Sequence, residues 1–305
     1  MRTRFAILAA CAILLAPLAA RAQDPTSVKG VEAEDLEPEP PQAQAPDPAR
    51  PPAAADDDRE IDPVEPDFVV VNLPTQARMP RGGWAFRVTH RFSRPLGDGS
   101  VGDLARDLFG FDSGGLIGLE FRYGIGRATQ AGIHRTSDRT VQLFGQRDLR
   151  RAEDHALGVA LFAAVDGLDN FTEDHSPGAG VIVSRRLGER GALYAMPAVV
   201  ANLGAPGEDG VLTDSTTALL LGLGVRFRFS ENGALLFEAT PRLNAPDRDA
   251  AGFRHPLSVG LERTLGGHAF QLNVSNSFGT TLGQIARGGA PTGWYIGFNI
   301  ARKFY

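Results

Sequence analysis

The residues able to do chemistry fall into two sets, and their spacing separates them. The first set is the six histidines and a serine. His90, His155, His255 and His268 fall in phase with neighbouring apolar residues, and His134 falls in phase with polar ones. No His-x-x-x-His pair or carboxylate–histidine cluster occurs, so neither a metal nor another cofactor is expected. Asp112-Ser113-Gly114 ends a long loop whose preceding strand carries His90, and a Ser–His pair there could in principle hydrolyse lipid. The serine has no nucleophile-elbow context, and Asp-Ser-Gly is an ordinary turn sequence, so a catalytic role is not expected.

The second set is larger and periodic. Arg87, Arg91, Arg122, Arg226, Arg228, Arg242 and Lys303, with Glu120, Asp148, Glu238 and Glu262, all alternate with apolar neighbours. Seven cations against four carboxylates on the inner face of a pore could form an anion-favouring constriction, because rings of charge bias permeation. The same residues could instead pair across the interior and close it.

What must position them is a strand, because only a period of two places alternate side chains on opposite faces. Trp84, Phe86, Val88 and Phe92 oppose Arg87, Thr89 and Arg91; Leu219, Leu221, Leu223, Val225, Phe227 and Phe229 oppose Gly222, Gly224, Arg226 and Arg228. Twelve such segments are predicted, near 83–93, 116–124, 127–136, 139–149, 155–165, 177–187, 191–202, 215–230, 233–243, 255–265, 268–278 and 293–304. Their length of roughly ten residues suits a tilted strand crossing a bilayer. In the fourth, Phe144 lies on the polar face and Arg147 on the apolar one; in the seventh, both faces are apolar and Pro197 interrupts. Connections alternate between short turns such as Gly124-Ile125-Gly126 and long loops such as 94–115, the habit of outer-membrane barrels with periplasmic turns and outer loops. The fold class predicted is therefore an all-β antiparallel transmembrane β-barrel of about 12 strands. Four of the histidines then mark its interfaces. A soluble β-sandwich or lipocalin-like barrel would reverse the polarity, and faces this rich in glycine, serine, asparagine and charge suit a lumen better.

The N-terminal part has another character. Arg2 and Arg4, an apolar run from Phe5 to Ala20, and Ala20-Arg21-Ala22 read as a signal peptide over 1–22. Leu8-Ala9-Ala10-Cys11 offers a rival lipoprotein box, and Cys11 is the single cysteine, so mature disulfides are excluded. Residues 23–67 hold fourteen acidic and three basic residues with ten prolines, too little apolar surface to offset chain entropy. They are expected to be a disordered acidic Pro-rich segment in the periplasm, leaving 68–305 for the barrel. The overall charge of −5 thus hides a strongly acidic segment ahead of a mildly basic one.

Three segments, Phe86-Arg87-Val88-Thr89-His90-Arg91-Phe92, Leu108-Phe109-Gly110-Phe111-Asp112-Ser113-Gly114-Gly115 and Gly266-Gly267-His268-Ala269-Phe270-Gln271-Leu272-Asn273-Val274-Ser275-Asn276-Ser277, resemble a domain-of-unknown-function family of bacterial outer-membrane β-barrel proteins. The resemblance spans about 68–305, taking in Leu73-Pro74-Thr75 and Gly297-Phe298-Asn299-Ile300-Ala301-Arg302, and implies the fold without an activity. Phe304-Tyr305 supplies the aromatic end that barrel-assembly machinery reads in a closing strand. The functional expectation is a narrow channel or transporter for small polar solutes, anionic ones if the arginines set the bias. A non-conducting structural or surface-binding barrel is the alternative, and a lipid hydrolase the third reading. Expected partners are outer-membrane lipid, the assembly machinery and a small polar solute, with no nucleic acid.

Overall fold

A computed structural model describes residues 61–152, 156–203, 217–244, 254–288 and 293–305. The expected signal peptide, most of the acidic segment and His155 lie outside these residues.

Twelve strands follow in chain order: β1 (Trp84–Phe92), β2 (Gly115–Gly126), β3 (Thr129–Thr136), β4 (Val141–Arg150), β5 (Gly158–Gly167), β6 (His175–Arg186), β7 (Gly191–Val200), β8 (Ala218–Arg228), β9 (Gly233–Ala239), β10 (Leu257–Leu265), β11 (His268–Ser275) and β12 (Tyr295–Phe304). Each pairs antiparallel with its neighbours in sequence, and β12 pairs with β1 in unbroken register from Trp84–Phe304 to Arg91–Gly297. The sheet is a closed barrel, so no strand edge is left with unpaired backbone groups, the condition for crossing lipid as strands.

Alternation along each strand decides what faces out. In β2, Ile117, Leu119, Phe121, Tyr123 and Ile125 are exposed while Glu120 and Arg122 are buried. Exposed leucines, phenylalanines and valines recur around the wall, a continuous apolar surface that only lipid would cover. Phe144, expected on the polar face, does point inward, and Arg147 points outward beside Thr129. Pro197 also faces outward in β7, on the row of Leu193 and Val199, so Tyr194 and Met196 fill the interior.

One end of the barrel carries short turns, two of them Arg127–Ala128 and Gly266–Gly267; the other carries long connections, including 93–114 and 276–294. We call these the short-turn end and the long-loop end. Among the described residues, two α-helices lie at the latter. The α1 helix (Val101–Arg106) starts from a Ser100–Asp103 capping box, and α2 (Leu282–Arg287) from a Thr281–Gln284 one. The α2 helix lies inside the barrel, with Ile285 and Ala286 buried. Strand β11 ends at Ser275, earlier than its polarity pattern suggests; Asn276 still binds Leu257 and His255 at the start of β10, and the buried Ser277 follows it.

Candidate functional site: the occupied lumen

The acidic segment ends differently from its composition. Residues 61–67, expected as the close of a solvated tail, lie with 68–80 inside the barrel, where Val64, Asp67, Phe68, Val69, Val70, Val71, Leu73, Thr75 and Met79 are all buried. The segment is a hairpin. It enters at the short-turn end, where Asp62 pairs with Arg186 at the end of β6. It turns at Asn72, with Val70 N donating to Leu73 O at 2.8 Å and Thr75 N to Phe68 O at 2.9 Å, then returns to Gly83 and β1.

Wall side chains take up the hairpin's backbone groups. The Glu238 carboxylate of β9 accepts three consecutive N–H groups, from Val71 (2.9 Å), Asn72 (2.8 Å) and Leu73 (2.8 Å). Such a run of converging amides is a backbone nest for an anion. Arg91 donates to Asn72 Oδ1 at 2.8 Å and to Asn299 Oδ1 at 2.9 Å; Asn299 Nδ2 donates in turn to Val71 O at 2.8 Å. Gln130 donates to Ala77 O at 2.9 Å and Gln146 to Thr75 O at 3.0 Å. Few hairpin groups are left to pay the cost of burial without a partner.

The apolar half of the hairpin meets an apolar half of the wall. Val64, Val70, Val71 and Leu73 pack with Phe144, Phe162, Ile182, Tyr194, Met196 and Leu236 from β4–β9. Each such side chain taken from water contributes on the order of 2 kcal/mol. Glycines on the inner face of β8 make the room: a Cβ on Gly222 would strike the Leu73 side chain, and one on Gly224 would meet Val70 Cγ2 at 2.9 Å. Sequence reading of these positions predicts a polar, glycine-lined pore. The glycines are instead the seat of the hairpin.

From the long-loop end, α2 closes the other side. Asp166 of β5 accepts from Gln142 Nε2 at 2.7 Å, from the Thr281 hydroxyl and from Gly283 N at 2.9 Å, holding the helix start against the wall. Between the Leu73 tip and Leu282 and Ile285 of α2 remains a cavity of about 40 Å³, large enough for water and too small for a sugar.

Of the charged residues singled out by alternation, Arg87, Glu120, Arg122, Asp148, Arg226 and Glu262 are buried in ion pairs. Glu120 holds both Arg87 and Arg122, the latter at 3.0 Å. Arg226 pairs with Glu262, and Asp148 with Arg78 of the hairpin. Lys303 and Arg122 both sit over the Phe68 ring, at 4.5 and 4.4 Å from its centroid. Two expected lining residues occupy the rims. Arg228 donates to the Glu189 and Glu231 carbonyls in the turns at the short-turn end, and Arg242 reaches the Ala286 carbonyl of α2 at 3.5 Å. Strand-end geometry places them there, since the in-out alternation fixes the face and not the depth. His134 is buried inside, as its phase requires. His90 stacks on Phe298 on the outside, and Ser113 Oγ donates to Gly110 O at 2.6 Å, so the structure assembles no Ser–His pair from them.

Breaking one interior pair should cost more than removing both charges. Arg226→Gln leaves the buried Glu262 carboxylate uncompensated, and we expect a loss of about 3 kcal/mol or more in urea unfolding; adding Glu262→Gln should recover most of it. Equal stability of the single and double variants would contradict this assignment.

The hairpin is the element that sequence reading missed. Its signal was present, since Phe68-Val69-Val70-Val71-Asn72-Leu73-Pro74 is an apolar run with a turn at Asn72, short of the first alternating strand.

No curated protein sequence matches this chain. Among solved structures, the fold is similar to the NanC porin (TM-score 0.47, 9% identity, covering 73% of this chain and 99% of that one). It is also similar to the KdgM porin in complex with disordered oligogalacturonate (TM-score 0.42, 5% identity, 73% and 98% covered). A mutant Rh. blastica porin is more distant (TM-score 0.32, 10% identity, 62% and 55% covered). The sequence itself matches the model of a membrane-bound β-barrel domain, DUF5777, over residues 67–304. With the closed barrel, its lipid-facing surface and this match over most of its length, the chain belongs to that family of membrane-bound β-barrels.

Proposed function

We propose that the protein is an outer-membrane channel for small polar solutes, held closed by its own N-terminal hairpin. The short-turn end, where that hairpin enters, faces the periplasm in this reading, and the signal-like leader and the short-turn, long-loop asymmetry support the placement. One observation carries the closed channel: residues 61–80 fill the lumen by packing and by hydrogen bonds, without being part of the wall. Because the hairpin enters and leaves at one end, it can withdraw without threading the barrel.

The wall left behind would be polar on one side and apolar on the other. Its buried strand charges are Arg87, Arg91, Arg122, Arg226 and Lys303 against Glu120, Asp148, Asp166, Glu238 and Glu262. These balance, so small polar solutes fit the interior better than anions alone. The ion pairs Arg87–Glu120–Arg122 and Arg226–Glu262 inside the wall itself favour the second reading, a barrel that never conducts.

Planar-bilayer recordings separate the two. The full chain should be nearly silent, and a chain lacking 61–79 should show steady conductance, with heat-modifiable electrophoretic mobility confirming that its barrel is formed. A folded but silent deletion variant would favour the non-conducting barrel. No enzymatic role is proposed.

A further inference from the structure

The outward faces of the strands carry charge of one sign among the described residues. Six strand residues with charged side chains face outward among the described residues: Arg135, Arg147, Arg150, Arg185, Arg263 and Arg302. Every strand carboxylate described, Glu120, Asp148, Asp166, Glu238 and Glu262, faces inward and is buried. Five of the six arginines lie at the short-turn end, and none of those five is in an ion pair among the described residues.

Their depth can be read from the register. Trp84 stacks on Phe304 with ring centroids 3.8 Å apart, marking an aromatic belt on the last strand pair at that end. Arg302 lies two residues further in, opposite His268 of β11, and its guanidinium sits 4.7 Å from the Phe304 ring centroid. Arg263 lies on the far side of β11, opposite Phe270. Arg263 and Arg302 therefore flank β11 on the same outer face, two residues apart in register, with neighbouring strands about 4.8 Å apart.

A cation at the middle of a barrel's lipid face costs about 2–4 kcal/mol, and near the interface roughly 0–1. Arginines at this level are therefore tolerated, but a tolerated rim would mix both signs. A guanidinium matches a phosphate with two parallel hydrogen bonds, which an acid at the same place would oppose. Beside Arg263 runs a groove on the same face, lined by the apolar side chains of Leu261, Phe270, Leu272, Phe298 and Ile300. Glu231 of the β8–β9 turn also borders it, one acid against the Arg263 and Arg302 pair.

We propose that this face is a binding site for an anionic phospholipid in the leaflet at the short-turn end: Arg263 and Arg302 hold the headgroup phosphate beside His268, and the groove takes one acyl chain. Arg147 and Arg185 extend the same electrostatic girdle around the barrel. The site is independent of whether the lumen opens.

Native mass spectrometry of the full chain in detergent tests it, with phosphatidylglycerol and phosphatidylcholine supplied in equal amounts. The wild-type barrel should retain phosphatidylglycerol preferentially. The Arg263→Gln/Arg302→Gln variant should reduce that preference roughly twenty-five-fold, at about fivefold per basic residue near a charged surface. Arg263→Lys/Arg302→Lys should keep most of it, and Arg135→Gln, at the opposite end, should leave it unchanged. Equal retention of both lipids by the wild type would overturn the proposal, whatever the variants do. So would an unchanged preference in the glutamine variant, or displacement of the phosphatidylglycerol by inorganic phosphate alone.

Discussion

Replacing Glu238 with alanine is expected to turn a silent barrel into a conducting one. The carboxylate accepts the Val71, Asn72 and Leu73 amides at 2.8–2.9 Å, and nothing else at the hairpin tip is placed to take them. Removing it leaves three buried donors without an acceptor, each costing about 1 kcal/mol or more. A sum on the order of 3 kcal/mol shifts the closed-to-open ratio by roughly a hundredfold. The wall strands keep their own ladder, so heat-modifiable mobility should not change. Glu238→Gln retains one acceptor oxygen and should lie between the two in bilayer recordings. If the alanine variant is folded and its conductance is no greater than wild type, Glu238 is not the latch.

The second large effect concerns pH. Burial pushes the Glu65 carboxyl up to about 7, against the opposing hydrogen bond from Gln76 N at 2.7 Å. Once the hairpin leaves the lumen, Glu65 meets water and returns to the ordinary carboxylate range, about 4.3. Between those values the docked state binds a proton that the undocked state has lost. Docking is therefore tightest at low pH and weakens as pH rises through the docked value. Open probability should increase from pH 5 to pH 8, by a factor of up to about a hundred, and Glu65→Gln should flatten the profile in the closed direction. A pH response that survives in the glutamine variant would move the sensor elsewhere.

Sequence alone determined the wall. Period-two alternation places Leu119 and Phe121 outside and Glu120 and Arg122 inside whatever the barrel's contents, because a strand leaves each side chain only two directions. Short turns against long loops likewise followed from spacing, and the predicted strands differ from the observed ones mainly at their ends. Tertiary structure decided what occupies the interior. Glu238 and Gly222 share one face in the sequence, yet only closure of the sheet brings that face around a hairpin some 150 residues earlier in the chain, where the carboxylate meets three amides. Composition made 61–67 look solvated because its acids were counted without partners; Arg186 and the apolar wall of β4–β9 provide them only after folding. The same holds for the periodic cations and carboxylates that opened the sequence reading. Alternation fixed their face, and which of them pair, such as Arg226 with Glu262, depends on depth and register around the closed barrel, which no local pattern encodes.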